Sequence, residues 1–177
     1  SDTGYELPPS LELYQQVQDY YHAIYPDLRF YTSKNKQPLM YYWDKMGAPS
    51  RVLRWCCSIM KSAPLAVLLK ELNGGKKQPS AILFDGVRAE ESVNRANRSR
   101  IGKNAKHNNI INISPILDWN ATEIYLYILL KALPFNRAYR QGFSRVGCVI
   151  CPYSSKWSEN IASKIYPNSL LPFVSAI

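Results

Sequence analysis

Ala81-Ile82-Leu83-Phe84-Asp85-Gly86 is an apolar run that stops abruptly at turn residues. Four consecutive apolar positions without polar alternation predict a buried strand of a parallel sheet. Ile110-Ile111-Asn112-Ile113 predicts a second strand of the same kind, and Leu28-Arg29-Phe30-Tyr31 a short alternating one. Helical patterns lie between them. Leu11, Tyr14, Val17, Tyr20 and Tyr21 recur at helical spacing, with Ser10 as the expected N-cap, which predicts a helix near residues 10–23. Leu39 to Met46 reads as a helix stopped by Gly47 and Pro49. Pro64 suits the first position of a helix running to about Leu72, ended by Gly74 and Gly75. Asn120 with Glu123 is a capping box ahead of Ile124, Tyr127, Ile128 and Leu130, and Pro134 closes that helix.

Strands alternating with helices imply an α/β layered fold with a parallel sheet. Ligands in such folds sit at the carboxyl ends of the strands. Three segments fall there: Asp2-Thr3-Gly4, read as a strand end entering a turn, Gly86-Val87-Arg88, and the stretch after Ile113. The basic, polar residues 96–108, with Arg98, Arg100, Lys103, Lys106 and His107, read as a mobile solvated loop. Residues 153–177 form a C-terminal tail with one expected helix around Trp157–Ile165.

The four cysteines fall in two groups, Cys56-Cys57 and Cys148-Val149-Ile150-Cys151. Only folding brings groups so distant together, and four thiolates delivered in that way suit a metal or cluster site. Adjacent cysteines diverge, which serves a single tetrahedral ion badly and an iron–sulfur cluster better, since each thiolate then binds a different iron. A four-cysteine zinc site, a redox-active Cys148–Cys151 disulfide and four unrelated buried thiols are the alternatives.

The net charge of +9 favours an anionic partner such as a nucleotide, a sulfate-bearing substrate or nucleic acid. No apolar run approaches the ~20 residues of a membrane span, so no membrane partner is expected. No secretory pattern opens the chain, and free thiols then point to the reducing cytoplasm.

With these motifs assembled, the chain resembles the phosphoadenosine phosphosulfate (PAPS) and adenosine phosphosulfate (APS) reductase family. The matching stretches are Asp2-Thr3-Gly4 with Glu6 and Pro8, Arg54-Trp55-Cys56-Cys57 with Lys61 and Pro64-Leu65, Gly86-x-Arg88-x-x-Glu91-Ser92-x-x-Arg95, Pro115-Ile116-x-Asp118-Trp119, and Tyr139-x-x-Gly142-x-x-Arg145-x-Gly147-Cys148-x-x-Cys151-Pro152. They occur in the family's order and cover residues 1–152, the expected reductase-like domain. The cysteine arrangement is similar to the subgroup that binds a 4Fe-4S cluster.

The resemblance implies an adenine nucleotide α-hydrolase-like fold, related to PP-loop ATP pyrophosphatases, and an adenylyl sulfonucleotide beside a cluster. It makes Cys56, Cys57, Cys148 and Cys151 the cluster ligands. Lys61 becomes a catalytic lysine between cluster and substrate. Asp2, Thr3 and Gly4 lie against the nucleotide, with Arg88 and Arg95 near the phosphosulfate. A thioredoxin-like reductant is the implied electron source. Physical chemistry agrees, because a thiolate-ligated cluster and a phosphosulfate are both negative and need cations between them. Arginine forks match phosphate and sulfate oxygens, although Arg88 and Arg95 pairing with Glu90 or Glu91 is the plain alternative.

Two family features are not seen: a Ser-Gly-Gly-Lys-Asp-Ser type PP-loop with the first strand, and a cysteine-bearing C-terminal tail. The expectation is the central portion of a larger reductase, with an open sheet edge that invites oligomer or partner contact. Two further functions remain open. One is a sulfurtransferase or phosphorothioation-type nucleic-acid-modification factor on the same scaffold, which would use ATP. The other is a non-catalytic, cluster- or zinc-stabilised interaction domain.

Overall fold

The computed structural model describes residues 1–104 and 109–176. The chain divides into two compact units, residues 1–65 with 134–177, and residues 66–133.

The second unit carries the sheet. Strands β1 (Ala81–Phe84), β2 (Ile101–Lys103) and β3 (Ile110–Ile113) are ordered β1-β3-β2. β1 runs parallel to β3 with Ala81 opposite Ile110, and β2 runs antiparallel to β3 with Ile101 opposite Ile113. The fold is thus α/β with parallel pairing between the two apolar runs. The strands are not buried on both faces, as the apolar runs suggested. Ile110 is fully buried, but Ile82 is 60% and Phe84 71% exposed, because period-two alternation turns them to the other, uncovered face. The basic stretch is also not simply a loop. Its Ile101–Lys103 portion pairs with β3, since backbone pairing satisfies polar groups that a loop leaves to water. Lys106 and His107 lie outside the described residues.

β1 ends at Asp85. Its N–H donates to the Ile113 carbonyl (2.9 Å), and its carboxylate accepts from Val87 N, Asn112 Nδ2 and Ser114 Oγ at 3.2, 3.2 and 2.6 Å. That carboxylate ties both strand ends into one turn, after which Arg88 leads into the short helical residues Ala89–Glu91 and α5 (Val93–Ala96). The capping box of α6 (Ala121–Leu130) is present, with Glu123 N–H on Asn120 Oδ1 (3.0 Å) and Asn120 N–H on Glu123 Oε2 (2.7 Å).

The first unit holds α1 (Pro8–Ile24), α2 (Leu39–Met46), α3 (Trp55–Cys57), a π-helical turn (Ser58–Ser62), a 3-10 turn (Arg137–Gln141), α7 (Lys156–Ile165) and α8 (Pro167–Val174). α1 begins at Pro8 rather than after Ser10. Proline lacks an N–H that the first helical turn does not need, so the two prolines start the helix. Ser10 is then buried inside it, its hydroxyl accepting from Asn136 Nδ2 (3.2 Å).

Leu28–Tyr31 forms no strand. Among the described residues no neighbouring strand offers backbone partners, and Phe30 packs edge-on against His22, ring centroids 4.9 Å apart. Three residues on, Lys34 makes an isolated parallel bridge to Asp2. Pro64 does not open its helix either. Helical backbone starts at Trp55 and continues through the π turn into α4 (Ala63–Leu72). Pro64 has no N–H to give, and just before it Ala63 N–H reaches back five residues to the Ser58 carbonyl.

Two apolar clusters stabilise this unit. Leu7, Ala138, Phe143, Val149, Ile161 and Ala162 form one; Leu39, Trp43, Trp55, Met60 and Phe173 form the other. Phe173 comes from α8, a helix beyond the one expected in the tail. It meets Tyr5 and Trp43 edge-on, with centroids 4.8 and 5.2 Å away.

Candidate functional site

Backbone pairing sets the site. Leu7 N–H donates to the Gly147 carbonyl (3.1 Å) and Val149 N–H to the Tyr5 carbonyl (2.8 Å), which lays Glu6 antiparallel to Cys148. The N-terminal segment therefore runs alongside the Cys-x-x-Cys turn. Cys56 and Cys57 lie in the first helical turn after Arg54, where Cys57 N–H donates to the Arg54 carbonyl (3.2 Å). Four residues on, across the π turn, Lys61 points to the same place.

All four cysteines, Thr3 and Lys61 line one cavity of about 450 Å3 including its open mouth. Its remaining wall is largely apolar: Leu39, Trp43, Met60, Ile150 and Phe173 are among its residues. The four thiols are free. Among the described residues no three His, Cys, Asp or Glu side chains converge closely enough to hold a single metal ion. The four thiols are thus gathered around one cavity, with Cys57 exposed and Cys56, Cys148 and Cys151 half-buried.

The electrostatics follow from burial. Desolvation first, then the neighbouring Cys57 and Cys148 sulfurs, push the Cys56 thiol up to about 11. Burial works against the Lys61 ammonium, but the Cys148 sulfur, which it hydrogen-bonds, then Cys57 and Glu6 hold its pKa above the ordinary lysine value. Lys61 is thus a cation kept charged inside a partly dry site.

Asp2, Thr3 and Gly4 are placed unevenly. Asp2 accepts from Gly4 N–H (2.6 Å) and pairs with Lys34 (2.8 Å). Thr3 is buried, with its N–H and hydroxyl on the Glu6 carboxylate (3.0 and 2.8 Å) and its hydroxyl 3.7 Å from Cys148 Sγ. Thr3 therefore faces the cysteines. Gly4 stands at φ +80°, a left-handed conformation that glycine adopts without strain, with open space where a Cβ would stand.

Glu6, tied to Thr3 and paired with Cys148, received no role from the sequence. Burial first, then the Glu6 carboxylate, raises the Tyr14 phenol, with Lys61 acting the other way. The three-residue spacing of Thr3 and Glu6 is the one signal that could have exposed Glu6, because a hydroxyl and a carboxylate so spaced meet across a turn.

Arg88 and Arg95 belong to the second unit. Arg88 pairs with Glu90 (2.9 Å) and Arg95 with Glu91, the plain alternative weighed above. Glu91 also accepts from Arg88 N–H (3.1 Å). Burial opposes its charge, but this bond and Arg95 hold the Glu91 carboxyl below the usual range. Arg88 Nε is buried with no hydrogen-bond partner among the described residues, a donor available to an acceptor from outside.

The topology is α/β, with β1 and β3 parallel and their carboxyl ends tied together at Asp85. The phosphoadenylyl-sulfate reductase of Candida auris, solved as a phosphate complex, superposes with a TM-score of 0.56 at 22% identity, over 83% of this chain and 66% of that one. The fold is accordingly adenine nucleotide α-hydrolase-like. The family model for the phosphoadenosine phosphosulfate reductase domain matches residues 1–154, and the chain belongs to that family. An uncharacterized protein of Methanocaldococcus jannaschii is 31% identical over 169 residues, which are 94% of this chain and 32% of its own length. The adenosine 5′-phosphosulfate reductase of Neisseria meningitidis serogroup A is 27% identical over 173 residues, 90% of this chain and 63% of its own length. The chain spans 32% and 40% of the length of the two M. jannaschii proteins it matches.

Proposed function

We propose that this chain is the core of a PAPS/APS reductase-like protein, binding an adenylyl sulfonucleotide beside a 4Fe-4S cluster held by Cys56, Cys57, Cys148 and Cys151. The observation that carries the reading is the single cavity lined by all four thiols, with Lys61 in its wall. When bound, the cluster supplies a compact, negative iron–sulfur centre next to the sulfo group. Lys61 is the cation between the two negative groups, and its half-buried position strengthens that role. Within the first unit, the loop at Gly4 contacts the nucleotide; within the second, Arg95 and Arg88, the latter through the donor it leaves unused, contact phosphosulfate oxygens. Asp2 and Thr3 shape the loop that presents Gly4.

The whole protein would cleave the bond between the sulfate sulfur and the bridging phosphate oxygen. Two electrons from a thioredoxin-like reductant and one proton convert the sulfonucleotide to sulfite and a nucleoside phosphate.

Anaerobic iron and acid-labile sulfide assay, together with thermal shifts in adenosine phosphosulfate and in ATP, tests the reading. Iron with sulfide and stabilisation by the sulfonucleotide alone are expected. Stabilisation by ATP alone assigns sulfur transfer or nucleic-acid modification on the same scaffold instead. No iron, with neither nucleotide acting, leaves a non-catalytic interaction domain.

A further inference from the structure

The residues just before the cysteine pair build a raised turn on the first unit. Ser50 N–H donates to the Leu53 carbonyl (3.1 Å) and Leu53 N–H to Ser50 Oγ (2.9 Å). This closes a turn with Arg51 and Val52 at its tip. Val52 is 98% exposed and Leu53 58%. Aliphatic side chains left that bare gain nothing from the chain's own packing. The turn is nonetheless fixed. Arg51 Nε donates to the Pro152 carbonyl (3.0 Å), the Tyr153 hydroxyl donates to the Arg51 carbonyl (3.2 Å), and the Arg54 guanidinium lies 5.2 Å from the Tyr153 ring centroid. These contacts strap it to the residues that follow Cys151. Arg51, Arg54 and Tyr153 are themselves exposed, and neither arginine forms an ion pair among the described residues. Exposed Cys57 follows in the next helical turn.

We propose that the Arg51–Arg54 turn with Tyr153 is a docking face for a small acidic protein, seated beside Cys57. Arginine and tyrosine around a bare aliphatic centre match the residues that dominate binding energy at protein interfaces. Strapping the turn to Pro152 and Tyr153 lowers the entropy lost on contact. Two guanidiniums without carboxylate partners flank the apolar tip, so the complementary face carries carboxylates around an apolar centre. A nucleic-acid backbone fits less well, since a phosphate track wants a continuous cationic groove and here an aliphatic tip interrupts it. The inference rests on the cysteine-site reading only for why a partner comes to this edge.

The test is titration of the full chain with a fluorescently labelled plant-type ferredoxin, a small acidic protein, at low and physiological ionic strength. Binding that weakens with salt is expected. Val52→Asp and the Arg51→Gln/Arg54→Gln pair each lose roughly tenfold or more in affinity, a hot-spot effect. The exposed Lys36→Gln/Lys164→Gln pair, an equal charge change elsewhere, leaves it unchanged. Circular dichroism establishes that the variants are folded. Absent ferredoxin binding overturns the proposal, as do equal losses in the two double variants. A labelled single-stranded oligonucleotide that binds through Arg51 and Arg54 while ferredoxin does not also overturns it. Iron is measured on the same samples: docking that persists in iron-free protein supports the docking face and removes the cluster reading alone.

Discussion

The Thr3 hydroxyl lies 3.7 Å from the Cys148 sulfur, although 145 positions separate them in the chain. The same hydroxyl donates to the Glu6 carboxylate at 2.8 Å, and Glu6 pairs antiparallel with Cys148. Three residues therefore couple the N-terminal loop to the Cys-x-x-Cys turn. Thr3→Val keeps the shape and removes the hydroxyl, leaving the buried carboxylate one donor short. A loss of about 1–3 kcal/mol in denaturant unfolding is expected, with Thr3→Ser close to wild type. Equal stability of wild type and Thr3→Val would show that the coupling is geometric only.

Cys57→Ser and Cys148→Ser each remove one of the proposed cluster ligands, from two different loops. Iron and sulfide content should fall sharply in both, and the melting temperature of the iron-loaded protein with it, because the centre ties the two loops. Metal content unchanged in both variants would separate the cysteines from any cluster.

Arg88 keeps a buried Nε without a partner, whereas Arg98 is an exposed residue after α5. Arg88→Ala should weaken adenosine phosphosulfate binding about tenfold or more, the worth of a charge-assisted hydrogen bond, and Arg98→Ala should barely change it. Calorimetric titration of the two variants decides it, and matching dissociation constants would reject the choice of Arg88.

Phe173 fills the wall of the cysteine cavity against Tyr5 and Trp43. Phe173→Ala should cost about 3–5 kcal/mol, the range for emptying a buried aromatic site. A chemical denaturation curve showing less than about 1 kcal/mol would mean that α8 is not part of the core.

Glu91 gives the pH dependence its sign. Its folded-state pKa is depressed below 4.5 by Arg88 N–H and Arg95, against the opposing effect of burial. Its stabilisation is present above that unfolded value and is lost as pH falls through the folded one. Thermal melts below pH 4.5 should therefore decline less steeply in Glu91→Gln than in wild type. Parallel acid branches would show that the carboxylate is not linked to folding.

Several features were legible in the residues themselves. The apolar runs at 81–84 and 110–113 became the parallel pair, and Asn120 with Glu123 became a capping box, because both depend on local pattern. The expected helix at Trp157–Ile165 falls within α7 for the same reason. Local pattern misled where a competing local force was stronger. Two prolines took the start of α1 from Ser10, and Leu28–Tyr31 had a strand's alternation but no strand to pair with.

Residue types and spacing alone determined the four-thiol inventory, the cationic Lys61 a turn beyond Cys57, and the α/β class. Tertiary structure alone decided that Thr3 faces the cysteines, that Phe173 closes their cavity, and that Ile82 and Phe84 stand uncovered. The physical reason is range. Helix caps and strand periodicity act over a few residues, whereas a cavity wall is assembled from segments whose proximity is fixed only by packing and by backbone pairs such as Val149 with Tyr5.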